Sequence, residues 1–272
     1  MSRRLFCEIS PLTYRISLAA HRARRHIQNA GRRNIARTHA KESLPVCVYK
    51  SASLIRRTLG GADPELQEGK AVNLALAAPR LDGMLIRPGE EFSFWIPVGA
   101  PTARRGFKTG LILHGGRPGA DIGGGMCQMT NLIHWLVLHS PLTVTEHHHH
   151  DGYDLFPDCG RTVPFGTGTS IMYNYIDYRF RNDTADTFQL RLRTDEKYLI
   201  GELRADREQP LRYHIAAEDE HFSREADGVY RNSRVMRRTV DAATGNTVRE
   251  ECIKENHAKI MYDEAYIADR IR

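Results

Sequence analysis

The amino-acid sequence predicts an α+β fold, in which one buried helix with a cysteine at its start packs on antiparallel strands and a basic helix precedes this core. A proline-free, mainly apolar run over residues 126–139 indicates the buried helix. Short β-type runs, some of them alternating and separated by turn residues, indicate the strands on both sides of it. A concentration of arginine within the first 40 residues indicates the basic helix.

The composition agrees with a globular, soluble protein. Of the 272 residues, 41% are hydrophobic and 26% are charged, which is enough for a sizeable core and excludes wholesale disorder. No run approaches the roughly 18 consecutive apolar residues that a membrane-spanning helix needs. The start of the sequence also lacks the apolar segment of a secretory signal, so we expect a cytoplasmic protein, either free or peripheral to the membrane.

An N-terminal arm, residues 1–42, carries the basic character of the chain. Residues 1–40 contain nine arginines and a single acid, whereas the whole chain has a formal net charge of +6. We predict a helix over residues 12–40 that either packs on its own domain or contacts an anionic surface. The rest of the sequence has no basic patch interleaved with aromatic residues, so we expect no specific nucleic-acid binding.

The segment between the arm and the buried helix predicts short strands and one further helix. Residues 46–49 and 91–95 have the composition of strands. Residues 63–65 indicate the start of a helix or a turn, and residues 71–78 favour a helix. Many glycines between residues 104 and 125 indicate loop and short strand.

The segment after the buried helix predicts mainly β-structure. Residues 143–145 and 170–180 are strand candidates because they are rich in β-branched and aromatic residues. Residues 188–193 alternate and pair with residues 198–204 as a hairpin.

The end of the chain completes the predicted organisation. Residues 211–272 contain short strand-like pieces around turns at residues 226–228 and 244–246. We therefore divide the chain into the arm, a central domain over residues 43–210, and a C-terminal β-rich extension that packs on the same domain.

The sharpest local feature is the run Gly123-Gly124-Gly125-Met126-Cys127-Gln128 at the start of the buried helix. A cysteine there faces unsatisfied backbone N–H groups and the positive end of the helix dipole, which lower a thiol pKa and favour the nucleophilic thiolate. The same N–H groups, near Gly124 and Gly125, form a candidate oxyanion hole, to which the Gln128 side chain adds a donor. The alternative is that Cys127 is a small buried hydrophobe and the glycines form a tight turn.

A histidine run, Glu146-His147-His148-His149-His150-Asp151, follows the next predicted strand and offers a base for Cys127. Alternate residues of a strand point to opposite faces, so His148 and His150 share one face and one pair of histidines can face Cys127. The alternatives are a polar strand end without function, and a zinc site made by histidines with Cys127 or Cys159. Because the spacing matches no zinc finger, we expect no metal and no cofactor.

These motifs resemble the VanW family, which is named after vancomycin-resistance gene clusters. The resemblance covers roughly residues 40–205 and makes the central domain VanW-like. His147 and Asp151 stand where the family usually has arginine and serine. The residues that carry the resemblance are the run from Gly123 to Gln128, Glu146, His148, His150, Asp177, residues 180–184, residues 87–95, Val98-Gly99, Arg105-Gly106-Phe107 and Gly110.

The resemblance implies acyl-transfer chemistry. Some VanW-domain proteins are described as cysteine L,D-transpeptidases, which cross-link peptidoglycan stems. By matching position, Cys127 is then the nucleophile and His150 or His148 the general base, with Glu146, Asp151 or Asp177 to orient it. The expected partner is a peptide or peptidoglycan-precursor substrate, and the thioacyl intermediate is resolved by an amine or by water.

The substrate and the class of function each have an alternative. Cross-linking of peptidoglycan takes place outside the membrane, so a protein predicted to be cytoplasmic has a cytoplasmic amide or peptide precursor as an alternative substrate. The alternative class of function is a non-catalytic binding protein, linked to cell-wall metabolism or glycopeptide resistance, that uses the same site for recognition.

Overall fold

The computed structural model describes residues 5–56, 63–114, 117–149, 152–158 and 163–271, and it confirms the α+β class. The α-helices are α1 (Pro11–Ala30), α2 (Pro64–Ala77), α3 (Trp95–Val98) and α4 (Cys127–Leu138). The strands are β1 (Val46–Leu54), β2 (Met84–Ile86), β3 (Glu91–Ser93), β4 (Thr109–His114), β5 (Arg117–Ile122), β6 (Thr143–Glu146), β7 (Tyr153–Asp154), β8 (Arg179–Arg181), β9 (Phe188–Thr194), β10 (Tyr198–Ala205), β11 (Leu211–Glu225), β12 (Gly228–Asp241) and β13 (Thr247–Ile260).

Helix α4 contributes heavily to the main hydrophobic core, in agreement with the apolar run that predicts it. Nine of its residues are buried, and the chain leaves the helix before Pro141, which cannot continue it. One side of α4 packs on β1 and β10. At Gly201 of β10 a Cβ would lie 3.0 Å from the Cδ1 atom of Leu136, so the missing side chain lets helix and sheet approach closely.

The sheet beneath α4 has four antiparallel strands in the order β1-β10-β9-β2. The predicted hairpin of β9 and β10 is confirmed, with Thr194 opposite Leu199. Strand β1 extends past the predicted residues 46–49 and pairs with β10 over its length, apart from an irregularity after Cys47. Two smaller sheets have the strand orders β3-β8-β6 and β4-β5, and their strands lie between β2 and β9 in the sequence.

The N-terminal helix is shorter than predicted. Helix α1 ends at Ala30 rather than near residue 40, because Gly31 follows it and the chain then pairs with the domain. Ile35 forms a parallel bridge with Glu91 and is buried. This half of the arm therefore packs on its own domain.

Two other elements also differ from the prediction. Helix α2 joins the start predicted at residues 63–65 and the helix predicted near residue 71 into one element that begins at Pro64, because proline suits the first turn of a helix. Only β8 is a strand within residues 170–180, because the chain turns at Asn174, whose φ is 48°. The side-chain amide of Asn174 donates to the Arg22 carbonyl and so ties this turn to α1.

The C-terminal region forms long strands rather than the short pieces predicted. Strands β11, β12 and β13 pair antiparallel, and β13 pairs in parallel with β7 from the middle of the chain. The register shifts once between β11 and β12 and twice between β12 and β13. Each shift interrupts the alternation of apolar and polar residues, which explains why the sequence predicts several short strands. The turns predicted at residues 226–228 and 244–246 join these strands, while the proposed domain boundaries stay a prediction.

A buried arginine joins the C-terminal sheet to the loop after β7. Arg231 of β12 pairs with Asp154, Asp158 and Glu220, and hydrogen bonds to the last two carboxylates raise its pKa although burial opposes the charge. In the ranges that the structure describes, no helix is both long and apolar enough to cross a membrane.

Candidate functional site

Helix α4 starts from a glycine turn that packs against two neighbouring elements. Gly123 and Gly125 adopt φ values of 81° and 84°, which L side chains rarely adopt. A Cβ on Gly124 would lie 2.1 Å from the carbonyl oxygen of Gly110 in β4. A Cβ on Gly125 would lie 2.2 Å from the Cγ atom of Lys70 in α2. Backbone conformation and close packing therefore together require glycine at positions 123, 124 and 125.

Cys127, the first residue of α4, is half-buried. Burial raises the pKa of its thiol, although hydrogen bonds from the backbone N–H groups of Ile171 and of Cys127 itself oppose the shift. This direction is opposite to the one that the helix start predicts, because desolvation outweighs the N–H dipoles. The thiol is therefore protonated at neutral pH and needs a base for activation.

A cavity of about 780 Å³ lies beside the Cys127 thiol. Its volume is typical of a small-molecule site. Three of the predicted support residues, Gly124, Gly125 and Gln128, line this cavity together with Cys127. The rest of the wall combines apolar rings and aliphatic groups with a few charges, and it includes Trp95, Trp135, Ile171, Tyr173, Lys70, Arg22 and Asp121. Such a wall suits a ligand that has both apolar groups and a carboxylate.

The Gln128 side chain is directed at β1. Its Nε2 atom donates to the Ser53 hydroxyl and to the Leu54 carbonyl, both at 2.8 Å. The backbone N–H of Gln128 donates to the Gly125 carbonyl, and that of Gly124 donates to Asp121. The donors predicted at Gln128 and Gly124 are thus engaged within the fold, which leaves the N–H groups of Gly125 and Met126 as the oxyanion candidates.

Asp177 lies in a buried ion cluster and not on the cavity wall. The Nε atom of Arg179, a residue that is 1% exposed, donates to the Asp177 carboxylate at 2.9 Å. The same carboxylate accepts hydrogen bonds from the Ser93 hydroxyl at 2.6 Å and from the Trp95 N–H at 3.2 Å. These contacts connect β3, α3 and β8 and occupy both carboxylate oxygens.

Glu146 connects this ion cluster to the N-terminal helix. Its carboxylate accepts one hydrogen bond from each terminal nitrogen of Arg25, both at 2.7 Å, and one from the Asp177 N–H at 2.9 Å. Arg25 also donates to the Tyr175 carbonyl at 3.0 Å. The arm therefore supplies a cation to a carboxylate of the central domain, a contact that sequence reasoning missed.

His148 turns toward Glu146. Its Nε2 atom lies 3.4 Å from a Glu146 carboxylate oxygen, and its side chain is 46% exposed. His148 does not line the Cys127 cavity. Strand β6 ends at Glu146, so the alternation of faces predicted for a longer strand does not apply. His150 and Asp151 lie outside the described residues, and the assignment of either His148 or His150 as the base stays a prediction.

The other histidines of the run pack near α4. The His147 ring lies 4.1 Å from the ring of His134 in α4 and 4.0 Å from the ring of His149. Burial, together with these two neighbours, lowers the pKa of His134 well below its ordinary value, so His134 is neutral at physiological pH. Within the ranges that the structure covers, no three His, Cys, Asp or Glu side chains are grouped so as to hold a metal ion. Cys159, the alternative zinc ligand, lies outside those ranges.

Sequence reasoning also missed the two cations on the cavity wall. The buried Lys70 donates from Nζ to the Gln67 side chain at 2.6 Å. A local signal exists for it, because Gly69 sits inside α2 and a Cβ there would lie 1.8 Å from the Thr109 carbonyl oxygen. A glycine within a helix indicates such a close approach. Arg22 has no local signal, since it reaches the cavity from the distant arm.

The glycine turn, the cysteine at the start of α4 and the surrounding sheets define a VanW domain. A family model described as VanW like protein matches residues 69–204, and the chain belongs to the VanW family. The chain is 35% identical over 227 residues to the vancomycin B-type resistance protein VanW of Enterococcus faecalis, which covers 84% of this chain and 82% of that protein.

A second relative matches a shorter part of the chain. This is the uncharacterized protein YoaR of Bacillus subtilis, which is 27% identical over 118 residues, or 42% of this chain and 36% of that protein. No solved structure matches the chain.

Proposed function

We propose that this protein is a cysteine acyl-transfer enzyme, similar to L,D-transpeptidases, that acts on a cell-wall peptide or a related amide. One observation carries the proposal: the Cys127 thiol starts a buried helix, lines a ligand-sized cavity and has the Ile171 N–H directed at it. A thiol used only for packing needs no such cavity. Family membership supports the same site, because the glycine turn that positions Cys127 belongs to the matched region.

The proposed reaction has two steps. The Cys127 sulfur forms a bond with the substrate carbonyl carbon while the bond from that carbon to the leaving amine breaks. The thiol proton passes through a base to the leaving amine, which departs neutral. An incoming amine or water then attacks the thioester, and the proton that it loses returns to the cysteine sulfur. The negative charge on the carbonyl oxygen is held by the backbone N–H groups of Gly125 and Met126.

The cations of the cavity wall are assigned to substrate recognition. Lys70 and Arg22 line the cavity with Cys127, and both attract a carboxylate of a peptide substrate. Asp121 on the same wall attracts an amine. The pairing of cations and an acid in one cavity supports a peptide-like ligand with groups of both charges.

The direct test is capture of the thioester. The purified protein is incubated with a synthetic peptidoglycan stem peptide, and each cysteine is mapped by mass spectrometry. We expect an acyl adduct on Cys127 in the wild type and in Cys47→Ala, and none in Cys127→Ala. Cys47 is a matched control because it is exposed and lies outside the cavity. An adduct that persists in Cys127→Ala would refute the assignment.

The base is tested by the pH dependence of alkylation. Burial raises the pKa of the Cys127 thiol, so its reaction with iodoacetamide should increase only at a pH above the ordinary range for a cysteine thiol. If His150 or His148 is the base, its replacement by alanine should abolish peptide turnover and leave the alkylation of Cys47 unchanged. Turnover at the wild-type rate in both histidine variants would exclude both assignments.

A non-catalytic binding protein is the second candidate. Two observations favour it. The raised pKa keeps the Cys127 thiol protonated, and His148, a candidate base, lies beside Glu146 instead of on the cavity wall. In that case the wild type and Cys127→Ala should bind the stem peptide with equal affinity, and the wild type should form neither adduct nor product. Calorimetric titration establishes that the peptide binds, and the presence or absence of adduct and product in the wild type separates the two candidates.

A further inference from the structure

The face of α1 that points away from the domain is apolar. Leu12, Ile16 and Ile27 are 66%, 50% and 75% exposed. With 3.6 residues per turn these positions share one side of the helix. Three more exposed apolar side chains precede α1: Leu5, Phe6 and Ile9. Scattered apolar residues on a surface are ordinary, but several large apolar side chains aligned on one side of a helix indicate an interaction surface.

The opposite face fixes the orientation of α1. Arg22 donates to the Tyr173 carbonyl at 3.2 Å, Arg25 binds Glu146, and Asn29 accepts a hydrogen bond from Arg179 at 2.7 Å. Turning the apolar face inward would break all three contacts. The apolar side chains therefore stay exposed while the domain is folded.

Arginines border the apolar face. Arg15 and Arg24 are exposed on its two sides, and neither forms an ion pair with another described residue. Glu8 is the single acid among the first 40 residues of the sequence. A helix with an apolar stripe and cationic borders matches the interface of a bilayer, where acyl chains and anionic headgroups meet.

We propose that α1 docks this protein on an anionic lipid bilayer. The side chains of Leu12, Ile16 and Ile27 enter the boundary between headgroups and acyl chains, while Arg15 and Arg24 contact the headgroup phosphates. A nucleic acid would use the arginines and leave the apolar side chains in water. A second copy of the chain would bury the apolar side chains and bring arginines together, so the bilayer is the occupant that uses both features. The proposal rests on α1 and not on the chemistry of Cys127.

Docking of α1 would also place the Cys127 cavity close to the membrane surface. Arg22 lies on the domain side of α1 and lines that cavity. A bilayer bound to the opposite side of the same helix therefore lies one helix diameter, about 10 Å, from the cavity wall. Substrates at the membrane surface would reach the cavity without crossing the domain.

The experiment measures co-sedimentation of the full chain with vesicles of phosphatidylcholine, with and without phosphatidylglycerol. We expect binding to the anionic vesicles that weakens as salt is added. Leu12→Glu/Ile16→Glu should lower the partition coefficient at least about tenfold. Arg15→Gln/Arg24→Gln should lower it by roughly fivefold for each arginine on anionic vesicles. The matched control is Val248→Glu, since Val248 is 63% exposed on the C-terminal sheet and should not change binding.

Three results would overturn the proposal. The first is equal partition of the wild type and Leu12→Glu/Ile16→Glu on anionic vesicles. The second is a dimer detected by light scattering that the same double variant dissociates, without vesicle binding by the wild type, which would assign the face to a second copy. The third is binding to a DNA duplex that Arg15→Gln/Arg24→Gln abolishes, again without vesicle binding. Hydrogen exchange of peptides from α1 in each variant establishes that α1 still forms.

Discussion

Replacing Arg25 by alanine should detach α1 while the domain stays folded. Helix α1 has no fully buried side chain, so its attachment depends on polar contacts more than on apolar burial. Arg25 supplies two hydrogen bonds to Glu146 and one to the Tyr175 carbonyl. The main core, by contrast, lies around α4 and does not include any residue of α1.

The size of the effect follows from the exposure of the pair. A hydrogen bond to a charged group contributes about 1.5–3 kcal/mol when it is buried. The side chains of Arg25 and Glu146 are 19% and 15% exposed, so water partly screens the pair. When Arg25 is removed, Glu146 still accepts the hydrogen bond from the Asp177 N–H and still lies near Arg179. We therefore expect a loss of about 2 kcal/mol for the whole contact. This free energy corresponds to a roughly 30-fold larger undocked population of α1.

Hydrogen exchange followed by mass spectrometry measures this population. Peptides from α1 should exchange roughly 30-fold faster in Arg25→Ala than in the wild type, while peptides from α4 keep their rate. Arg15→Ala is the matched control, because Arg15 lies on the same helix and forms no ion pair with a described residue. Equal exchange of α1 in the two variants would refute the reasoning. Faster exchange of α4 by the same factor would show instead that α1 and the domain unfold together.

The remaining predictions concern packing and buried charge, and urea unfolding measures each of them. Gly124→Ala should destabilise the fold by at least about 2 kcal/mol, because its Cβ meets a backbone oxygen, whereas Gly168→Ala has open space and should be neutral. Gly201→Val should cost about 2 kcal/mol by pushing side-chain atoms into α4, and an unchanged midpoint would show that the helix moves freely. Arg231→Met should cost about 3 kcal/mol because it removes the guanidinium that pairs with the buried Asp154; the loss should shrink if Asp154→Asn is added.

Much of the fold follows from local patterns. The apolar run at residues 126–139 and the alternation of β9 and β10 correspond to the buried helix and its hairpin, because periodicity directly reports which residues face a core. The patterns fail where tertiary contacts decide. The end of α1 depends on pairing between Ile35 and Glu91, and the lengths of β11 to β13 are hidden by bulges that shift the alternation.

The candidate site, too, is predictable only where its residues are neighbours in the sequence. The glycine turn and Cys127 are local, so their place at the start of α4 is predictable from their spacing. Glu146 and Arg25 are 121 residues apart, and no local pattern indicates that they bind each other. The charge count of the arm shows that it is basic but not that one of its arginines neutralises a carboxylate of the central domain.

The ion cluster also explains why His148 lies away from the Cys127 cavity. Glu146 ends β6 and is held by Arg25, and His148 lies beside it instead of beside Cys127. His147 packs on His134, which lies seven residues after Cys127 on α4, or about 10 Å along the helix axis at 1.5 Å per residue. Direct proton transfer needs a separation of roughly 3 Å, and neither His147 nor His134 lies on the wall of the Cys127 cavity. The base for acyl transfer at Cys127 therefore stays a prediction, either His150 or His148. Trapping with the stem peptide tests the reaction itself, which the reactivity of the unliganded thiol does not.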